Sequence, residues 1–179
     1  MSILVTKSIE RKLKKKGENL RIVFPITLSD AQNISIGNNV TIGGNARIRA
    51  VTRYGNDTFS PLIVIGDNVV INRNFQISAI DKIEIKDNVF MAENVYISDT
   101  THGCLDYSDI EIPPAVRTLY SKGPVLIEEK VWLGKNVCIL AGVTVGRNSV
   151  IGANSVVTHN IPPYCIAVGA PARIVKRIK

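Results

Sequence analysis

Residues 127–157 read IEEKVW, LGKNVC, ILAGVT, VGRNSV, IGANSV and V, with an aliphatic residue opening every block of six. Ile127, Leu133, Ile139, Val145, Ile151 and Val157 keep that period without a break. An amphipathic helix repeats its apolar positions at three and four, and a half-buried strand at two. A sustained period of six fits neither. Three such blocks make one turn of a three-sided prism, with a short strand on each side. The same period runs through Ile36, Ile42 and Ile48, through Ile65, Ile71 and Ile77, and through Ile85, Met91 and Ile97. The sequence therefore predicts an all-β solenoid, a parallel β-helix of hexapeptide repeats.

A longer signature recurs at the head of each coil. Residues 34–40 (ISIGNNV), 63–69 (IVIGDNV) and 83–89 (IEIKDNV) are one unit written three times, with looser copies at 125–131 and 143–149. The aliphatic residue points inward and stacks on its equivalents about 4.8 Å above and below. Small residues follow it at Gly37, Gly43, Gly134, Gly146 and Gly152, and asparagine recurs near each corner at 39, 45, 68, 74, 88, 94, 136, 148 and 154. Both types tolerate positive φ at a tight bend, so these residues are expected to be structural.

The coil heads at 36, 65, 85, 127 and 145 are 29, 20, 42 and 18 residues apart, against 18 for an uninterrupted coil. Insertions of 11, 2 and 24 residues therefore fall at the same corner. Insertions aligned along one edge of a repeat protein mark its functional side. The longest, about 99–124, exceeds what a passive connection needs. Residues 6–17, with Ile9 and Leu13 on one face and Gly17 as a stop, predict a short cap helix. The expected layout is a cap over 1–20, the β-helix over 21–165, and a C-terminal cap segment over 166–179, as a strand or short helix.

Bulk composition agrees with a globular chain: 45% hydrophobic, 21% charged and only 6% aromatic. No apolar run reaches membrane-spanning length, and the basic start is not that of a signal peptide. Cys104, Cys138 and Cys165 are odd in number and widely spaced, which fits a reduced, cytoplasmic protein with no disulfide scaffold. The net charge of +7 favours anionic partners. No nucleic-acid-reading module is present, so nucleic acid is not expected as a partner. The basic cluster around Lys14–Lys16 would suit peripheral contact with an anionic membrane if the acceptor were lipid-linked.

The stretch from Gly123 through Ile161-Pro-Pro to Gly169-Ala-Pro-Ala-Arg173 resembles the hexapeptide acyltransferases with a left-handed β-helix. It is most similar to the branch of maltose, galactoside and nodulation O-acetyltransferases and of lipopolysaccharide and capsule O-acetyltransferases. The resemblance, and not the period, implies left-handedness, acetyl-coenzyme A as cosubstrate without a metal, and a homotrimer with active sites between subunits. It also implies transfer of acetyl to a sugar or polysaccharide-precursor hydroxyl. His102, in ISDTTHG, matches the general base, and Thr100 stands where relatives often carry a first histidine. Asn72 fills a slot held by Gly43, Ala92, Gly134 and Gly152 elsewhere, and matches an acceptor-binding asparagine. The family's acceptor-binding aspartate falls at Ile80, and Asp81, one residue on, is the candidate for that role. Trp132 matches a tryptophan beside the pantetheine arm. Ala153, Thr158 and His159 match contacts to pantetheine and nucleotide, and Arg173 and Lys176 match basic residues near the nucleotide phosphates.

Other readings compete. Acetyl transfer to an amino sugar or other amine would depend less on His102. A non-catalytic hexapeptide scaffold would bind no coenzyme A. A γ-type carbonic anhydrase needs three histidine ligands, and this chain has two histidines. Cys104 offers a thiol two residues from His102, but the ordinary loop cysteine is the preferred reading.

Overall fold

The computed structural model describes residues 12–104 and 106–178. Three parallel sheets form the sides of a prism. The first face holds Lys15–Lys16, Ile34–Ile36, Leu62–Ile65, Lys82–Ile85, Val125–Ile127 and Thr144–Val145. The second holds Arg21–Ile22, Thr41–Ile42, Val70–Ile71, Phe90–Met91, Trp132–Leu133, Val150–Ile151 and Cys165–Gly169. The third holds Ile26–Ser29, Ala46–Ala50, Gln76–Ala79, Tyr96–Ser98, Cys138–Ile139 and Val156–Val157.

The period of six sets the register. Ile42, Ile71, Met91, Leu133 and Ile151 stack in line on the second face, and Ile48, Ile77, Ile97, Ile139 and Val157 on the third. All are 1% exposed or less. Each contributes about 1.5–3 kcal/mol of apolar burial, and the core is a set of single-file columns with no thicker centre to compensate a gap.

All nine corner asparagines are left-handed, with φ between 56° and 61°. Their side chains bond one another up the prism, from Asn45 through Asn74, Asn94 and Asn136 to Asn154, at 2.7–3.2 Å. The glycines differ from expectation. Gly43 and Gly134 are absent from the positive-φ residues; they are small because the next coil presses on them. A Cβ at Gly43 would lie 2.6 Å from the backbone of Asn72 and Arg73, and one at Gly134 would lie 2.7 Å from the nitrogen of Ala153.

The N-terminal cap is a correction. Residues 6–11 of the expected helix lie outside the described residues, and over 12–17 the chain turns into a strand. Lys15 and Lys16 pair with Ser35 and Ile36, and Leu13 and Leu20 pack against the core. A further coil therefore precedes the one headed by Ile36. Backbone bonds from Lys14 to Ile34 and from Gly17 to Ile36 outweigh the local helical pattern. At the other end, Ala172–Arg177 is an antiparallel strand that covers the edge of Cys165–Gly169.

The insertions meet at the corner between third and first faces. The 11-residue one forms a hairpin of Arg53–Tyr54 and Asp57–Thr58, turning at Gly55 (φ +57°). The 24-residue one forms a hairpin of Thr101–His102 and Leu119–Tyr120, with a 3-10 turn at Pro114–Val116 between them. Val51, Ile80 and Leu119, one from each insertion, make a small second core with Tyr54 and Phe59.

Candidate active site

The outer surface of the third face is a grid whose rows are strands and whose two columns are the outward residues. One column runs Thr27, Arg47, Gln76, Tyr96, Cys138 and Val156. The second column begins Ser29, Arg49, Ser78, Ser98, followed by Leu140 and Thr158 just past the last strands. Its lower half is polar and cationic, and its upper half is largely apolar. The hairpin bearing His102 leaves the corner directly after the row of Tyr96 and Ser98, and so divides the two halves.

A cleft of about 330 Å³ opens below the hairpin, with His102, Tyr54, Arg47, Arg49, Gln76 and Ser78 among its walls. A second, of about 280 Å³, opens above it between Tyr120, Lys122, Leu140, Ala141 and Thr158. Tyr96 and Thr100 line both. The two clefts thus touch across the base of the hairpin.

His102 is exposed and is held from one side by Tyr54 of the shorter insertion. The rings meet edge to face at 73° with centroids 5.3 Å apart. Tyr54 Oη lies 3.4 Å from His102 Nδ1 and donates its proton to the carbonyl of Ala115. A carbonyl only accepts, so the phenol has no second proton for the imidazole. A hydrogen bond between the two rings then runs from Nδ1–H to the phenol oxygen, the tautomer in which Nε2 carries the free lone pair. Thr118 Oγ1 bonds the carboxylate of Asp57 and ties the two hairpins together again.

Asp99 is the anchor of the same hairpin, and sequence reasoning did not single it out. Its carboxylate is buried and accepts the backbone N–H groups of Ile80 at 2.9 Å and Asp81 at 3.0 Å. Burial pushes its carboxyl above the ordinary range, and these bonds pull it partly back. A short polar residue closing an insertion corner was its only sequence signal.

Cys104 is no activated thiol. Its Sγ donates to Asp109 at 3.2 Å, and the carboxylates of Asp106 and Asp109 raise its pKa. Cys104, Asp106 and the half-buried Asp109 form a surface group knit by its own hydrogen bonds.

The residues selected from sequence fall into separate places. Thr158 lines the upper cleft, and its hydroxyl lies 2.8 Å from Nδ1 of His159. Asp81 is exposed at the insertion corner, outside the lining of the His102 cleft. Asn72 stands at the opposite end of the third face and donates to the carbonyl of Met91 at 2.9 Å. Trp132 is on the outside of the second face, 52% exposed, in line with Val70 and Phe90. Ala153 is at the corner beyond that face, and Arg173 and Lys176 lie on the exposed terminal strand. One chain therefore brings His102 and Thr158 to the insertion side of the third face, with Asn72 and Ala153 at the far corner of that face and Trp132, Arg173 and Lys176 away from it.

Comparison with known proteins agrees with this architecture. Residues 124–159 match the family described as bacterial transferase hexapeptide (six repeats). The chain is 37% identical over 164 residues to the "Putative lipopolysaccharide biosynthesis O-acetyl transferase WbbJ" of Escherichia coli (strain K12), covering 89% of this chain and 80% of that protein. Among solved structures, the hexapeptide-repeat acetyltransferase VCA0836 of Vibrio cholerae, complexed with acetyl-coenzyme A, is similar at a TM-score of 0.67 and 25% identity, over 97% of this chain and 76% of that one. A variant of the N-acyltransferase AntD of Bacillus cereus, in complex with dTDP and coenzyme A, shares the fold at a TM-score of 0.78 and 21% identity, over 100% and 90%. The chain belongs to the hexapeptide-repeat acyltransferases, and its solenoid is the left-handed parallel β-helix of that family.

Proposed function

We propose that this acyltransferase moves an acetyl group from acetyl-coenzyme A to a sugar hydroxyl, with His102 as general base. The observation that carries this reading is the Tyr54–His102 contact in a cleft, which favours the tautomer with a free Nε2. A sugar hydroxyl is a poor nucleophile until a base takes its proton, and imidazole suits that task near neutral pH. The acceptor occupies the lower cleft, and the pantetheine arm follows the more apolar upper cleft past Leu140 and Thr158. Nε2 removes the hydroxyl proton as the oxygen attacks the thioester carbon. The tetrahedral intermediate then collapses with loss of the coenzyme A thiolate, which takes the proton back from the imidazolium.

The separation of the remaining residues supports a homotrimer. Packing the second face of one copy against the third face of the next would bring Trp132 and Asn72 beside a neighbour's His102. It would also cover the exposed column of Val70, Phe90 and Trp132. The relationship to an O-acetyl transferase named for lipopolysaccharide biosynthesis supports a glycan precursor as acceptor.

The test is the chemistry of the product. Incubation with acetyl-coenzyme A and matched hydroxyl-only and amino sugars should release thiol with the hydroxyl acceptors and yield alkali-labile esters. Alkali-stable amides formed only with the amino sugars would replace this reading with N-acetyl transfer.

A further inference from the structure

The lower cleft carries a feature that acetyl transfer alone does not require. Arg47 and Arg49 are the two outward residues of the strand Ala46–Ala50, and both line the cleft that holds His102. Among the described residues, neither guanidinium has an ion-pair or hydrogen-bond partner. Among the described residues, no aspartate or glutamate lines this cleft, nor the adjoining trough of about 400 Å³ that shares Arg47 and Gln76 with it. Two like charges two residues apart on one strand lie about 7 Å apart at Cα and repel each other. Without a neutralising acid they make a local positive field at the mouth of the site.

We propose that Arg47 and Arg49 are an anion subsite of the acceptor cleft, and that the acceptor sugar carries a phosphate or diphosphate. This inference rests on the assignment of the lower cleft to the acceptor. The register supplies the spacing. Arg49 aligns with Ser78, and Ser78 with Ser98, the last strand residue before the hairpin of His102. Two strand spacings, about 10 Å, therefore separate the cation from the row where the base emerges. A sugar ring fits between an anion held at the lower end and a hydroxyl presented at the upper. A carboxylate is satisfied by one guanidinium fork, whereas the several oxygens of a phosphate or diphosphate accept two forks from different directions. Gln76 and Ser78 add neutral donors between the arginines and the base.

Nucleoside diphosphates and polyprenyl diphosphates supply the same chemistry, and the assay separates them. kcat/KM would be measured for one sugar as the free form, the 1-phosphate, the nucleoside diphosphate and a short-chain polyprenyl diphosphate. The protein should prefer a phosphorylated form over the free sugar by about 100-fold, the scale expected of charge-assisted bonds. Arg47→Gln with Arg49→Gln should collapse that ratio towards one, and Arg47→Lys with Arg49→Lys should keep part of it. The phosphorylated form that works best names the source. In parallel, the unreactive His102→Ala protein should bind the glycosyl diphosphate in a salt-sensitive way by calorimetry, and lose that binding with both glutamines. Arginine-dependent binding without ester formation on any sugar would overturn the acetyl-transfer reading and leave the subsite standing. Equal use of free and phosphorylated sugars, with no change in the ratio for the glutamine variant, would overturn the subsite.

Discussion

Tyr54 and His102 are 48 residues apart and belong to different insertions, yet the phenol of one meets Nδ1 of the other at 3.4 Å. Because the phenolic proton goes to Ala115, the contact has only one polarity, with the imidazole donating. The shorter hairpin thus favours the tautomer of His102 in which Nε2 is free.

Tyr54→Phe keeps the edge-to-face contact and removes the hydroxyl. One lost hydrogen bond of about 1–1.5 kcal/mol corresponds to roughly a tenfold fall in kcat/KM. The fall should appear in kcat, with KM for acetyl-coenzyme A little changed, because the phenol does not line the upper cleft. Steady-state kinetics check this, and a pure KM effect would place Tyr54 in binding and not in orientation.

Asp99→Asn tests the anchor. The two carboxylate oxygens accept different backbone N–H groups, and an amide can replace only one of them. The other N–H then faces an NH₂ group, which costs about 1–3 kcal/mol. A pH signature accompanies it. Because burial raises the folded carboxyl above its unfolded value, the folded chain holds this proton to higher pH, and its contribution to stability falls as pH rises above the ordinary carboxylate range. Denaturant titrations of parent and variant across pH 3.5–6 should show a downward slope in the parent, relative to the variant, that is absent without Asp99.

The asparagine ladder predicts graded losses at Asn94, whose side chain bonds Asn74 and Asn136 at 2.8 Å each. Asn94→Ala loses both bonds and forces alanine into φ 60°, for about 2–4 kcal/mol in total. Asn94→Gly relieves the backbone term and should recover about 1 kcal/mol of it. Chemical denaturation ranks the three proteins, and equal losses for alanine and glycine would remove the backbone term.

Cys104→Ser should keep most of the activity. A thiol held protonated by Asp106 and Asp109 is a poor acyl carrier. An acetylated Cys104 peptide trapped by mass spectrometry, or a loss in the serine variant as deep as that of removing His102, would restore the covalent route.

Much of this was legible in the sequence because the repeat exposes it. The period of six gave the inward columns, the asparagines gave the corners, and unequal coil spacing gave the one corner from which the insertions and His102 project. What was hidden lacked a period. Lys16 occupies the place that an isoleucine fills in other coils, so the first coil resembled a basic helix. Tyr54 and Asp99 act through contacts between insertions, which no spacing reports. Arg47 and Arg49 were readable as outward positions of a hexapeptide, but their shared cleft with His102 depends on where the hairpin lies. The glycines were chosen rightly for their size and wrongly for their φ, because coil-to-coil pressure is a tertiary property.

The most direct measurement is thiol release from acetyl-coenzyme A with a hydroxyl-only acceptor, comparing the parent with His102→Ala at matched fold and oligomeric state. General-base catalysis contributes about 100- to 10,000-fold, so the variant should lose activity on that scale while still binding coenzyme A. A variant that forms the same ester at an undiminished rate would contradict the assignment of His102 as the base.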